Sequence, residues 1–392
     1  MILLSTLKEN KALLLIVALA MTIRVLFLTF YKFDIFPDAL AYDLMGEEIF
    51  SGKIPSNHIY MPLYPIYTFI TGLLKAQILI DITLSSLSIV FIYKLSILLF
   101  ENKNGALAAS FIYACYPHSI FYANVGLTET MFVFFLLASF YYLYSKKILL
   151  SFLFLTLNVL VKPTFYILNP LLIIIFIKFF HKYSWKKTLK YLSIYSVMYC
   201  LLLTPWWIMQ YQKYGEFIHH TLADGVVLYA GNNSMNKTGG GITDVDFNEE
   251  KFVGLSPIET NRLQKKLAIE FIKQNHYEFI VLSGKKFIRF WRLWPYTDKY
   301  QQSYIFAASL LSYGLVLFLS IIFFFSDFRK KIRATYPILI MFLYLNLVHL
   351  VTISSIRYRF PIEPFLIIFA SIVLAKNNII NKFLSIFIKK YI

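Results

Sequence analysis

Charged side chains are scarce in this chain of 392 residues, because Asp, Glu, Lys and Arg together make up only 15% of it. Soluble globular domains usually carry about 25%. Hydrophobic residues reach 58% and aromatic residues 19%, so too little polar surface is present to cover a water-soluble globule. The composition therefore excludes an ordinary soluble protein and predicts that lipid is its main solvent.

Cysteine and metal-ligating patterns are almost missing as well. The only two cysteines, Cys115 and Cys200, fall inside long apolar runs, which excludes a disulfide between the loops. The seven histidines show no metal-ligand spacing. Internal repeats and low-complexity linkers are also lacking, so we expect one transmembrane domain over residues 1–392 with no separate soluble domain.

In place of these features the chain has a series of long apolar runs. A helix needs about 20 mainly apolar residues to cross the hydrocarbon core. Runs near that length recur along almost the whole sequence, so we predict an all-α polytopic membrane protein with about ten transmembrane helices. The predicted spans are residues 13–30, 78–100, 106–121, 127–144, 148–161, 163–179, 189–209, 304–326, 336–352 and 361–375.

The Lys and Arg residues between the runs predict the orientation, because short basic loops stay on the cytoplasmic side. Every second connection is basic, which places both termini in the cytoplasm and explains the net charge of +17 without a nucleic-acid partner. The basic segments contain Lys8 and Lys11, Lys146 and Lys147, residues 178–190, residues 329–333, and Lys376, Lys382, Lys389 and Lys390. The loops that then face outward are residues 31–62, 116–126, 210–302 and 354–359.

Two of these outward loops are long and patterned. Residues 31–62 contain F-P-D-A-L-A-Y-D-L-M-G-E-E-I-F, which predicts a short amphipathic helix that presents a carboxylate at the membrane surface. Residues 210–302 begin with Gly- and Asn-rich turns. They continue with a helix that Ser256, Pro257 and Glu259 would cap, and with an amphipathic stretch typical of the membrane interface.

Several blocks then follow one another along the chain. Arg24 precedes P-D-A-L-A-Y-D, and the later blocks are M-P-L-Y-P, L-T-E-T, V-K-P-T, T-P-W-W-I-M-Q-Y-Q-K-Y-G-E-F, L-Y-A-G-N-N and R-Y-R-F-P-I-E-P. With these blocks the chain resembles a membrane glycosyltransferase of the GT-C superfamily, in the family 39-like group related to protein O-mannosyltransferases and lipid A aminoarabinose transferases. The resemblance spans essentially the whole chain, and it implies a GT-C fold and a sugar donor attached to a polyprenyl phosphate.

The reaction implied by this resemblance needs a base near the nucleophile and cations near the departing phosphate. Asp38 is the candidate base, with Asp43 or Glu129 as a second carboxylate that positions the acceptor. The candidate phosphate-binding cations lie at or near the outward ends of their spans and are Arg24, Lys162, Arg357 and Arg359. Further candidate substrate ligands in or near the blocks are Tyr42, His58, Tyr64, Asn232, Asn233 and Tyr358.

These assignments predict an inverting hexosyl or pentosyl transferase at the outer face of a bacterial cytoplasmic membrane. It would move a sugar from undecaprenyl phosphate, or a similar carrier, to a hydroxyl of a lipid, glycan or protein of the cell envelope, such as lipopolysaccharide. Cations alone can stabilise the leaving lipid phosphate, so no cofactor is required, and a divalent cation is compatible with the site. Two alternatives stay open, namely a polymerase or ligase of lipid-linked glycans and a transporter without chemistry.

Overall fold

The computed structural model describes residues 10–31, 36–241, 250–296 and 303–376. Lys8, Asp34, Lys382, Lys389 and Lys390, which contribute to the predicted topology and the acidic first loop, lie outside these ranges. Across the four ranges the regular structure is helical and includes no β-strand.

In chain order the helices are α1 (Lys11–Phe30), α2 (Pro37–Phe50), α3 (Leu63–Leu73), α4 (Gln77–Phe100), α5 (Lys103–Ala114), α6 (Pro117–Tyr122), α7 (Glu129–Tyr144), α8 (Ile148–Val161), α9 (Leu168–Phe180), α10 (Trp185–Tyr214), α11 (Ala223–Gly231), α12 (Pro257–Gln274), α13 (His276–Trp291), α14 (Tyr304–Ser326), α15 (Phe328–Val351) and α16 (Ile356–Ala375). Two of them change pitch along their length: the last six residues of α9 and a short part of α14 form π-helix.

Within the described ranges, six helices are long and apolar enough to cross a membrane, namely α1, α4, α10, α14, α15 and α16. Each overlaps a predicted span, and the prediction of an all-α multi-pass membrane protein is confirmed. The predicted spans 127–144, 148–161 and 163–179 correspond to the shorter apolar helices α7, α8 and α9. The total of ten spans therefore stays a prediction.

The predicted span 106–121 is wrong as a single helix, because α5 ends at Ala114 and α6 begins at Pro117. Proline has no backbone N–H to continue a helix, and it disfavours helical geometry in the residue before it. Tyr116 accordingly has extended backbone angles, with φ −74° and ψ 118°.

Helix α3 was not predicted. It starts directly after Pro62 and has Pro65 in its first turn, where a missing N–H costs little.

The core centres on α4, α5, α7 and α16. Almost every side chain of α7 is buried, as are those of α16 from Glu363 onwards, which agrees with the apolar character of both helices on all sides. Helix α7 packs against α4 and α8, and α16 packs against α5 and α14. Large apolar side chains on α10 and α14, such as Leu201 and Phe325, remain exposed at the surface that lipid would cover.

The α7–α8 hairpin fixes one side of this core. Because the two helices are antiparallel neighbours, the start of α7 lies beside the end of α8, and Asn158 fastens the pair by donating to the Phe132 carbonyl at 2.8 Å. Helix α12 begins with the predicted cap, in which the Glu259 carboxylate accepts from the Ser256 N–H at 2.8 Å.

Candidate active site

Arg357, at the start of α16, connects two carboxylates from distant parts of the sequence. Its Nη1 donates to Asp38 Oδ2 at 2.6 Å, and its Nε donates to Glu129 Oε1 at 2.5 Å. A further contact of 3.3 Å from Nη2 to Glu129 Oε2 makes this second pair bidentate. Lys162, directly after α8, donates from Nζ to Glu129 Oε1 at 2.9 Å. These four residues, called the Asp38 cluster below, balance two positive charges against two negative ones.

The carboxylates of the Asp38 cluster differ in accessibility. Both lie in the first turn of a helix, where the positive end of the helix dipole favours an anion. The Glu129 side chain is only 3% exposed, whereas Asp38 is 32%, Lys162 27% and Arg357 26% exposed. Burial lowers the pKa of Lys162, and the neighbouring Glu129 opposes that shift. Glu129 therefore anchors the two cations, and Asp38 is the more accessible carboxylate of the pair.

Tyr60 completes the surroundings of Asp38 by donating its hydroxyl to Oδ1 at 2.9 Å. Burial and the Asp38 carboxylate raise the pKa of Tyr60, so the phenol keeps its proton at neutral pH. The rings of Tyr42 and Tyr64 support it from behind, with Tyr42 edge-on to Tyr60 at 4.7 Å and to Tyr64 at 5.0 Å between ring centroids. Both supporting rings are buried, so these two predicted ligands lie one layer behind the carboxylate.

A cavity of about 430 Å³ opens beside Arg357 and is called the arginine cavity below. Arg289 and Arg292, at the end of α13, bring two more cations to its wall. Their guanidinium groups lie 3.8 and 5.0 Å from the centroid of the Tyr296 ring. Most of the remaining wall is apolar or aromatic and includes Tyr31, Phe36, Phe121, Tyr122 and Tyr304.

Two of the predicted phosphate ligands, Arg24 and Arg359, are fully buried and are not part of this wall. Arg24 donates to the Ser85 and Ser119 hydroxyls and to the carbonyl of Ala114, where it caps the end of α5. Arg359 pairs with Glu363 at 2.8 Å. Because protein atoms already bind both guanidinium groups, the geometry does not favour their predicted phosphate contacts, which stay predictions.

Asp43 and His58 also lie apart from the Asp38 cluster. Asp43 follows Asp38 by five residues on α2, which turns it about 140° around the helix axis. The His58 carbonyl accepts from the Leu222 N–H at 2.8 Å and thereby joins the first loop to the segment before α11. Burial and the nearby Lys213 lower the pKa of His58.

The predicted ligands Asn232 and Asn233 fix the end of α11 in place through hydrogen bonds to backbone carbonyls. Asn232 donates to the Val351 carbonyl at 2.7 Å, and Asn233 donates to the Tyr229 carbonyl at 2.6 Å. A Cβ added to Gly231 would lie 2.0 Å from the Thr352 carbonyl oxygen, which explains the glycine of the L-Y-A-G-N-N block. These contacts hold α11 against the end of α15, and a sugar-binding role for the two asparagines stays a prediction.

Tyr358 lies between the two arginines of the R-Y-R-F-P-I-E-P block, and its ring stacks on His349 with centroids 4.5 Å apart.

Of the predicted site, then, the structure brings together Asp38, Glu129, Lys162 and Arg357. Sequence reasoning did not predict Tyr60, Arg289 or Arg292. The two arginines carry a signal in their spacing of three residues, which places them on one side of a helix.

The fold is similar to solved structures of an archaeal oligosaccharyltransferase. The apo crystal structure from Archaeoglobus fulgidus matches 93% of this chain with a TM-score of 0.55 and 11% identity. The structure of AglB from the same organism, in complex with an inhibitory peptide and a dolichol-phosphate, matches 94% with a TM-score of 0.51 and 13% identity. This chain spans about half, 50%, of the length of each of these two proteins.

These similarities confirm the predicted GT-C fold. No protein-family model matches the sequence, and neither does any curated protein. The narrower family 39-like assignment therefore stays a prediction.

Proposed function

We propose that this chain is a membrane glycosyltransferase that moves a sugar from a polyprenyl-phosphate donor to an acceptor hydroxyl. The observation that carries the proposal is the ion pair of Asp38 and Arg357 beside the arginine cavity. Transfer of a phosphate-linked sugar needs a proton acceptor beside the nucleophile and positive charge beside the leaving group. The Asp38 cluster offers both within a few ångströms.

The arginine cavity suits a lipid phosphate. Its aromatic and apolar wall can hold a polyprenyl chain, while Arg289, Arg292 and Arg357 provide the planar donors that bind phosphate oxygens in pairs. One of the structurally similar proteins was solved with a dolichol-phosphate, which supports a donor of this chemical class.

In the proposed step the acceptor oxygen attacks C1 of the sugar while the bond from C1 to the phosphate oxygen breaks. The acceptor proton passes to the Asp38 carboxylate, and the electron pair of the broken bond stays on the phosphate. A single in-line displacement inverts the anomeric configuration. Because Arg357 is bound to both Asp38 and Glu129, a donor phosphate would compete with Asp38 for Nη1 and so make the base available.

The orientation of the site is also part of the proposal. Glu129 begins α7, while Lys146 and Lys147 lie at the opposite end of the α7–α8 hairpin. If the lysine-rich end is cytoplasmic, as the charge bias indicates, then the Asp38 cluster faces outward. We place it at the outer face of a bacterial cytoplasmic membrane.

The substitution Asp38→Asn tests the base. Cells without the protein should accumulate the sugar-charged polyprenyl phosphate and lack one surface glycan, and mass spectrometry of both fractions would name the sugar. Complementation with Asp38→Asn should leave this pattern in place, with transfer reduced by about 10²- to 10⁴-fold. Glu47→Gln removes an exposed carboxylate from the same helix and should restore the wild-type pattern. Transfer at the wild-type rate by purified Asp38→Asn would refute the proposal.

A further inference from the structure

A second cavity, of about 730 Å³, lies far from the Asp38 cluster. It forms between the connection from α7 to α8 and the first turns of α10. Helix α8 has 14 residues, with Lys162 of the Asp38 cluster directly after one end and this cavity at the other. At 1.5 Å per residue the two sites are separated by about 20 Å along that helix.

Five lysines line this cavity, which is called the lysine cavity below: Lys146, Lys147, Lys186, Lys187 and Lys190. No carboxylate is present among the described residues that form its wall. Like charges gathered in this way repel one another, so an anion that neutralises several of them is bound favourably. The N-terminal ends of α8 and α10 add to the positive potential of the lysines.

Apart from Ser184 and Tyr191, the rest of the wall is apolar. Ile148, Leu149, Leu150 and Ile194 line the lysine cavity next to the ammonium groups. Leu149 and Leu150 are also exposed, and so is Leu189 on α10, next to Lys190 in the sequence. A ligand that contacts both parts needs an anionic head and a hydrocarbon tail side by side.

We propose that the lysine cavity binds an anionic phospholipid, with its phosphate among the lysines and its acyl chains along the leucines of α8 and α10. Lysines near a membrane surface attract anionic lipid headgroups. A soluble anion would use the lysines without the leucines, and a zwitterionic lipid would leave the lysine charges unbalanced. This site does not depend on the sugar transfer proposed for the Asp38 cluster.

Native mass spectrometry of the delipidated, detergent-purified protein tests the proposal. The probes are phosphatidylglycerol and phosphatidylethanolamine with identical acyl chains. The wild-type protein should bind the first molecule of phosphatidylglycerol at least about 10-fold more tightly, since 1.4 kcal/mol already gives that ratio. The combined variant Lys147→Gln, Lys187→Gln and Lys190→Gln should lose most of this preference.

A matched control removes the same charge elsewhere on the predicted cytoplasmic side. It combines Arg329→Gln, Lys330→Gln and Arg333→Gln at the start of α15, and it should keep the preference for phosphatidylglycerol. Equal affinity of the wild-type protein for both lipids would overturn the proposal. An equal loss in both triple variants would overturn it too, because the attraction would then be a diffuse effect of net charge.

Two further measurements separate a lipid from a soluble anion. Leu149→Ser with Leu150→Ser should weaken phosphatidylglycerol binding and leave inorganic phosphate binding unchanged. If millimolar inorganic phosphate displaces the lipid completely and the leucine substitutions have no effect, the cavity is a soluble-anion site and the proposal fails. Asp38→Asn should bind phosphatidylglycerol like the wild-type protein, so a failure of the proposed transfer reaction can be told apart from a failure here.

Discussion

Arg357 and Arg359 stand two residues apart in one block, and each pairs with a glutamate, yet their surroundings differ. Arg357 keeps 26% of its side chain exposed and joins Glu129 to Asp38 beside the arginine cavity. Arg359 is fully buried, pairs with Glu363 one turn later, and lies 3.5 Å from the centroid of the Tyr313 ring. Residues two apart on a helix point about 200° away from each other, so one arginine faces the cavity and the other faces the core.

Arg357 therefore borders a cavity, whereas Arg359 is enclosed by the rest of the protein. Arg359 also donates to the Phe290 carbonyl at 3.0 Å, and Glu363 contacts His118 Nδ1 at 2.8 Å. This buried network ties α16 to α13 and α6, and its partners are all protein groups. The Asp38 cluster, by contrast, keeps three partly exposed groups beside a cavity.

The largest effect is expected from Arg359→Ala, which leaves the Glu363 carboxylate buried without its arginine. Removing one partner of a buried ion pair costs about 3–5 kcal/mol, so thermal unfolding in detergent should occur at a much lower temperature. The sequence alone predicts weaker donor binding for this variant, with folding unaffected. If Arg359→Ala keeps wild-type thermal stability and loses donor affinity, that earlier expectation is right and the stability role is wrong.

Arg357→Gln should produce the opposite pattern. Glu129 retains Lys162 as a partner, so most of the folding stability should survive. Loss of the guanidinium at the departing phosphate should slow transfer by about 10²- to 10³-fold, the usual effect of removing one preorganised electrostatic donor. Donor binding and turnover by the purified variant measure this effect. Unchanged donor affinity together with a collapse in thermal stability would remove the functional distinction between the two arginines.

A smaller effect is expected from Tyr60→Phe, which removes one hydrogen bond to Asp38. Hydrogen bonds to charged groups contribute about 1.5–3 kcal/mol, so we expect transfer to slow by about 10- to 100-fold. Tyr67→Phe is the control, because Tyr67 donates to the buried Asp81 on α4 and not to the Asp38 cluster. Equal losses of transfer in the two variants would mean that Tyr60 acts through general packing.

The sequence predicts Lys162 and Arg357 because cations at outward span ends run against the lysine bias. It predicts Asp38 and Glu129 differently, from the patterned first loop and from the blocks that carry the family resemblance. The lysine bias does not distinguish Arg357 from Arg359, because the direction of a side chain depends on the phase of its helix. It also does not identify the packing partner of a helix. The amphipathic pattern of α13 therefore predicts an interfacial position, while the structure places Arg289 and Arg292 on the wall of a cavity.

The fold, too, was predicted from the sequence only in part. Composition and run length predict the all-α membrane class and the six long spans, because crossing lipid requires long apolar helices. The same rule overlooks α3, since its 11 residues are too short to be recognised as a span. It also joins α5 to α6, because hydropathy continues through Pro117 although the helix does not.

The last prediction concerns Lys286, a buried cation on α13 whose nearest acceptors are uncharged. Its Nζ donates to Asn232 Oδ1 at 3.1 Å, and burial lowers its pKa to about 7. An unfolded chain keeps a lysine pKa near ~10.4, so between pH 7 and 10 the unfolded state binds more protons and folding stability rises with pH. The slope is at most about 1.4 kcal/mol per pH unit, and below about pH 7 the penalty is constant.

Lys286→Met should therefore lose this rise, which thermal unfolding of both proteins in detergent from pH 6 to pH 9.5 would measure. Lys285→Met removes the exposed neighbouring lysine and should keep the wild-type pH dependence. Identical pH profiles for the wild-type protein and Lys286→Met would show that the amine is charged in the folded state. Lys286 would then be charged, like the accessible cations of the Asp38 cluster. Burial alone would not distinguish a stabilising cation of this fold from one that binds a ligand.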